Sequence, residues 1–203
     1  MEEFLKNNVI RHYDCLIDED NDPVRDPEPL MAYMDKWDGQ GFINKMQLSR
    51  SSSVLEIGVG TGRLAIRTAP QCKKFYGIDV SPKTIDRAKE NLAQYKNVTL
   101  ICGDFLYYRF ECTFDVVYSS LTFMHIEDKQ RALRKVSELL NRGGRFVLSI
   151  DKNPSEFIDV GTYKVKIYPD NADETAGCIE AAGLTVSERY DTEFAAIFIA
   201  VKI

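Results

Sequence analysis

The chain has 203 residues, 44% of them apolar and 28% charged, with a formal net charge of −5 and a pI near 5.2. That length fits one domain with room for an appendage, and it is enough to bury a sizeable core. The acidic balance argues against a broad nucleic-acid or anionic-membrane surface, both of which need clustered Lys and Arg, and no run of about 18 apolar residues reads as a membrane span.

Residues 1–50 stand apart from the rest and read as a helical appendage. DCLIDEDNDPVRDPEP, residues 14–29, is acidic and proline-rich and reads as a loop. In PLMAYMDKWDGQGFINKMQL, Leu30, Tyr33, Met34 and Trp37 recur at helical spacing. Pro29 sits at the start of that helix, where proline costs little. A regular alternation begins at Ser53. SVLEIG reads as a strand, and TGRLAIRTAPQC as a helix broken at Pro70. KKFYGIDV is a second strand. SPKTIDRAKENLAQY is a helix with Ser81 as its N-cap. NVTLICGD and FDVVYSS are further strands. EDKQRALRKVSELLNRGG is a helix that Gly143 and Gly144 are expected to stop. RFVLSI is a fifth strand. GTYKVKIYP alternates like an exposed strand, and ADETAGCIEAAGL is a helix. TVSERYD and FAAIFIAVKI should pair as a terminal antiparallel hairpin. The expected fold is α/β: a Rossmann-like doubly wound sheet of about seven strands, mostly parallel, closed by that hairpin. Residues 51–203 form this domain.

Chemistry concentrates at the strand ends. LEIGVGTGRLA places Gly58, Gly60 and Gly62 at alternate positions. The dinucleotide fingerprint would need a third glycine where Arg63 stands, so the spacing is wrong for NAD. Glu56 ends the first strand, where a carboxylate can reach an ammonium group. Asp79 ends the second strand, 19 residues after Gly60, the place from which an acid holds a ribose diol. Asp104 follows the third strand and can accept from an adenine amino group, and Phe105 can pack on the ring. An amine, a ribose diol and an adenine, with no demand for a pyrophosphate, describe S-adenosylmethionine.

On these motifs the chain resembles the class I S-adenosylmethionine-dependent methyltransferases. VLEIGVGTGRLA is similar to the family's E/D-x-G-x-G-x-G motif. YGIDVSPKTIDRAKEN, VTLICGDF, FDVVYSSLTFMHIED and LNRGGRFVLSI resemble its later motifs in order. The resemblance implies methyl transfer to a small-molecule acceptor with S-adenosyl-L-methionine as cofactor. It assigns cofactor contacts to Glu56, Gly58, Val59, Gly60, Asp79, Val80, Asp104, Phe105 and Ser119. Tyr13 and Thr122 fall on the substrate side, with Tyr13 and Asp14 in an N-terminal lid. His125, just past the fourth strand, is the candidate general base, since imidazole titrates near neutral pH.

Arg63 reads as a solvated helix residue as readily as a functional one. SSLTFM after the fourth strand lacks the D/N-P-P-Y/F of enzymes that methylate base amines, and it lacks the acid of metal-dependent catechol-type enzymes. Five scattered cysteines without a C-x-x-C pair fit reduced thiols rather than a disulfide framework or a zinc site. The first residues show no secretory pattern. A cytoplasmic protein is therefore expected, with no metal, no nucleic-acid partner and no membrane partner. The alternatives are a cofactor-binding module without catalysis and a nicotinamide-dependent oxidoreductase. Sequence leaves the acceptor and the oligomeric state open.

Overall fold

The computed structural model describes residues 2–203, with side chains from Asn8 on. Apolar residues of alternating parity build a sheet buried on both faces. The strands are β1 (Ser53–Ile57), β2 (Lys74–Asp79), β3 (Val98–Cys102), β4 (Phe114–Ser120), β5 (Leu140–Asp151), β6 (Phe157–Asp159), β7 (Lys164–Lys166), β8 (Thr185–Asp191) and β9 (Ala195–Val201). Seven of them form one sheet in the order β3-β2-β1-β4-β5-β9-β8. The pairs from β3 through β5 are parallel, and β9 runs antiparallel to both β5 and β8. This is the α/β architecture with a closing hairpin that the sequence predicts. β6 and β7 form a separate two-stranded antiparallel ribbon.

The helices are α1 (Glu2–Asp18), α2 (Glu28–Met34), α3 (Gly39–Lys45), α4 (Ala65–Thr68), α5 (Pro82–Asn91), α6 (Lys129–Leu139) and α7 (Ala172–Ala181). On one face of the sheet Leu55, Ile57, Phe146 and Leu148 meet Leu133 and Val136 of α6 and Ile179 of α7. On the other, Val54, Val147, Ile197 and Ile199 meet Phe42 and Ile43 of α3 and Ile85 of α5. The period of two along each strand is what sorts these residues between the layers. Within the described residues, no helix is long and apolar enough to cross a membrane.

Four local expectations are corrected. Residues 14–18 are helical: α1 runs to Asp18, because Asp14 docks on the start of α5, its Oδ1 accepting from Ser81 Oγ at 2.6 Å and from the Lys83 N–H at 3.2 Å. The single helix expected from Leu30 onward is two. α2 ends at Met34, and after residues 35–37 Asp38 caps α3 by accepting the Gly39 N–H at 2.6 Å. The helix after the glycine loop starts at Ala65 rather than near Gly62, and after four residues it tightens into a 3₁₀ turn, Ala69–Gln71, around Pro70. Gly143 and Gly144 do not stop a helix. α6 ends at Leu139, and both glycines lie inside β5, where Gly143 takes a φ of +75° beside a shift of register against β4. Ser81 does cap α5, its Oγ accepting the Thr84 N–H at 3.1 Å.

Candidate functional site

Parallel strands carry their ligands at their carboxyl ends, and a cavity of about 700 Å³ lies at the ends of β1, β2 and β4. The glycine loop after β1 forms its floor. Gly58 has a φ of +75°, and a Cβ there would sit 1.9 Å from Thr122 Oγ1, so the loop after β4 leaves room only for glycine. Gly60 has a φ of +55°, and its missing Cβ would meet nothing within 4 Å. Val59 lines the cavity between them.

Asp79 holds this loop in place. Its Oδ2 accepts the Gly60 N–H at 3.0 Å and its Oδ1 accepts the Ser81 N–H at 3.0 Å. Burial raises its pKa, and those backbone donors oppose the rise. Val80 follows it on the wall. Glu56 is buried beneath the loop, where its Oε2 accepts from the Tyr118 hydroxyl at 2.8 Å; Tyr118 in turn lies 2.8 Å from Thr68 Oγ1. Loss of hydration pushes the Glu56 carboxyl up to about 8, against the pull of Tyr118 and of the nearby Arg63 charge. Asp104 and Phe105 line the wall after β3. Asp104 Oδ1 accepts the Leu106 N–H at 2.8 Å, and Phe105 is buried in the core.

The Ser119 side chain does not line the cavity. It is fully buried, its Oγ donates to the Ile57 carbonyl at 2.8 Å, and the next residues, Ser120 and Leu121, line the cavity instead. Strand alternation turns the Ser119 side chain away from the face that Ser120 presents.

Arg63 is not a solvated helix residue. Its guanidinium binds both oxygens of Asp38, with Nη1 at 3.0 Å from Oδ1 and Nη2 on Oδ2. Asp38 has a fully buried side chain and also accepts from Ser120 Oγ at 2.6 Å. This arginine–aspartate–serine group joins α3, the glycine loop and the end of β4 beside Glu56. The three residues lie 25 and 82 positions apart in the chain, so no local sequence signal links them.

The other half of the cavity is walled by α1, the 3₁₀ turn Phe123–His125 and the β7 ribbon. Tyr13 and Thr122 both line the cavity. The Tyr13 hydroxyl is 2.7 Å from His125 Nε2, while His125 Nδ1 is buried without a partner among the described residues. Burial, aided by the neighbouring His12 and Lys129, drops the His125 pKa from 6.5 to about 4. The ring is therefore neutral at pH 7, and its Nε2 faces a tyrosine. Burial and the Asp79 charge raise the Tyr13 pKa, which keeps the phenol protonated. One residue before Tyr13, His12 Nδ1 lies 3.3 Å from the Tyr163 hydroxyl.

Residues 54–144 match the model of a family described as a methyltransferase domain. An uncharacterized methyltransferase of Anoxybacillus flavithermus is 35% identical over 139 residues, which cover 66% of this chain and 62% of that one. Another from Bacillus cytotoxicus is 39% identical over 99 residues, covering 48% and 46%. The chain spans about half the length of the curated relatives it matches. The fold is shared with magnesium protoporphyrin IX methyltransferase from Synechocystis, solved with bound S-adenosylmethionine. That likeness has a TM-score of 0.76 at 18% identity, covering 98% of this chain and 97% of that one. Residues 54–144 are thus similar to methyltransferase domains, and the sheet order agrees with the fold of S-adenosylmethionine-dependent methyltransferases.

Proposed function

We propose that the protein binds S-adenosylmethionine in this cavity and directs its methyl group to a small-molecule acceptor. The observation that carries this reading is the set of three acids, Glu56, Asp79 and Asp104, following three adjacent strands around one cavity with an open glycine floor. The residues fit the cofactor. Glu56 is the partner for its ammonium group and Asp79 for the ribose hydroxyls. Asp104 is the partner for the adenine amine, with Val80 and Phe105 against the ring, and Gly60 leaves the backbone open to close approach. Bound there, the cofactor supplies an electrophilic methyl group on a sulfonium.

The rest of the cavity is the acceptor's. A volume of about 700 Å³ is in the range of pockets that enclose drug-sized ligands, about 300–1,000 Å³. Residues 1–50 supply the lid and residues 51–203 the cofactor domain. α1 excludes water, and holding donor and acceptor aligned in that space contributes about 7–11 kcal/mol of the barrier. In this reading Tyr13 is the group that faces the acceptor. His125 orients it by accepting its proton in a hydrogen bond, a positioning role in place of the general base expected from sequence.

The test is methyl incorporation from labelled cofactor into a metabolite extract. A labelled small molecule supports the proposal. Cofactor binding without transfer to any fraction would reduce the protein to a binding module, and binding of NAD in its place would make it an oxidoreductase.

A further inference from the structure

Of the acids that line the cavity, Glu56 alone is buried, at 3% exposure. The parallel register of β1 and β4 sets it beside Tyr118, and on its other side β2 places Gly77, which offers no side chain. Tyr118 is itself fully buried, its ring edge-on to Phe42 in the apolar layer under α3. A phenylalanine would fill that volume, and burying a hydroxyl costs free energy unless it is bonded. The Tyr118 hydroxyl donates to Glu56 Oε2 at 2.8 Å and lies 2.8 Å from Thr68 Oγ1. A phenol has one proton, and here Glu56 takes it, so the proton between Tyr118 and Thr68 is the threonine's. Thr68, Tyr118 and Glu56 then form a one-way chain of donors ending on the carboxylate, each bond polarising the next.

The other oxygen of Glu56 is free. Oε1 has no hydrogen-bond partner among the described residues, and it is open to the cavity that Glu56 lines. The charged groups that face Glu56 are Arg63 from the glycine loop, which favours its ionised form, and Asp38 and Asp79, which oppose it. Cys72 is the further titratable group beside Tyr118, and burial keeps the Tyr118 phenol protonated. Among the described residues Tyr118 is the only hydrogen-bond donor to Glu56.

We propose, resting on the methyltransferase reading, that Tyr118 is a positioning residue for ligand recognition: its hydroxyl fixes Glu56 Oε2 from behind and leaves Oε1 aimed into the cavity for the ammonium group of a nucleoside that carries an amino acid. The buried hydroxyl thereby selects ligands with an amine over the nucleoside alone. It touches no ligand and acts only through Glu56.

The experiment compares two ligands in the full chain. S-Adenosylhomocysteine carries the amine, and 5′-methylthioadenosine has the same nucleoside without the amino acid. Each is titrated by calorimetry into the wild type, Tyr118→Phe, Glu56→Gln and the double variant. Tyr118→Phe should weaken S-adenosylhomocysteine about tenfold at pH 7, the scale of one lost bond to a charged group, and leave 5′-methylthioadenosine within about twofold. With the Glu56 carboxyl at about 8, a lost donor raises it further, so the deficit should shrink to about twofold by pH 9, where both proteins hold much of it ionised. In the Glu56→Gln background the tyrosine should make no difference. Thr68→Val, which removes the first donor of the chain, should act in the same direction by a smaller factor. Equal weakening of both ligands, a deficit that does not change with pH, or unchanged affinity would overturn the proposal. Thermal unfolding of the same proteins needs no ligand and keeps the two readings apart. Tyr118→Phe should cost more stability at pH 9 than at pH 6, because only the ionised carboxylate loses a strong bond, and Glu56→Gln should erase that difference; a cost independent of pH would overturn the proposal. Absent binding of S-adenosylhomocysteine to the wild type counts against the methyltransferase reading, and the unfolding data then still decide the role of Tyr118.

Discussion

Asp79 carries two tasks in one side chain. It accepts two backbone N–H groups, one from the glycine loop and one from the start of α5, and it faces the space assigned to the ribose. Asp79→Ala therefore removes ligand contacts and the brace of the loop together. Hydrogen bonds to a charged group are worth about 1.5–3 kcal/mol each, so cofactor affinity should fall at least tenfold. Titration calorimetry reads this, and wild-type affinity would remove Asp79 from the site. Glu56 gives a second prediction, with a sign. Its pKa of about 8 lies above its ordinary 4.5 because burial penalises the charged form. The folded free protein thus binds more protons than the unfolded chain between those values. The stability this group contributes is full below about pH 4.5 and is lost as pH rises through 8. An ammonium ligand needs the ionised carboxylate, so binding at pH 7 should release close to one proton. Calorimetry in two buffers of different ionisation enthalpy measures that release, and Glu56→Gln should abolish it.

At the scale of elements, α1 is where the proposal for His125 is tested. Because Tyr13 and His125 meet at 2.7 Å, Tyr13→Phe and His125→Ala should lower turnover by similar factors, and the double variant should be no worse than either. His125, with a folded pKa near 4 against an ordinary 6.5, favours the neutral form. Its contribution is present above about pH 6.5 and is lost as pH falls toward 4, so turnover should show no limb near 6.5 due to this ring. Additive losses with a limb that vanishes in His125→Ala would restore it as a base. Asp14→Ala removes the carboxylate that α1 places on the start of α5. Hydrogen exchange should quicken across α1 and stay unchanged in β1 and β4. The sequence made the strands from Ser53 on legible because each is a short apolar run between turn residues, and it made the strand-end acids legible because their spacing follows the βα repeat. The end of α1 was not legible. Asp14 and Asp18 look like loop residues until their partners Ser81 and Lys83, brought in by the tertiary fold, give them bonds that favour a helix. The glycines at 143 and 144 failed for a related reason. Pairing with β4 captures the backbone from Leu140, so the positive φ serves a strand irregularity instead of a helix end.

Across the whole molecule, the claim is that a seven-stranded sheet presents one cavity, half for cofactor and half for acceptor. Gly60 is its most direct probe. The residue is buried in no core, its φ is +55°, and a side chain there would project into open space. Gly60→Val combines a strained backbone with an obstructed floor, so it should block the ligand at a modest cost in stability. The deciding measurement is titration calorimetry of S-adenosylhomocysteine into the wild-type protein and Gly60→Val, with NAD titrated in parallel. Saturable one-to-one binding of S-adenosylhomocysteine to the wild type is expected, with none to Gly60→Val while its thermal unfolding stays cooperative, and no heat from NAD. Saturable binding of NAD, or equal affinity of the two proteins for S-adenosylhomocysteine, would contradict it.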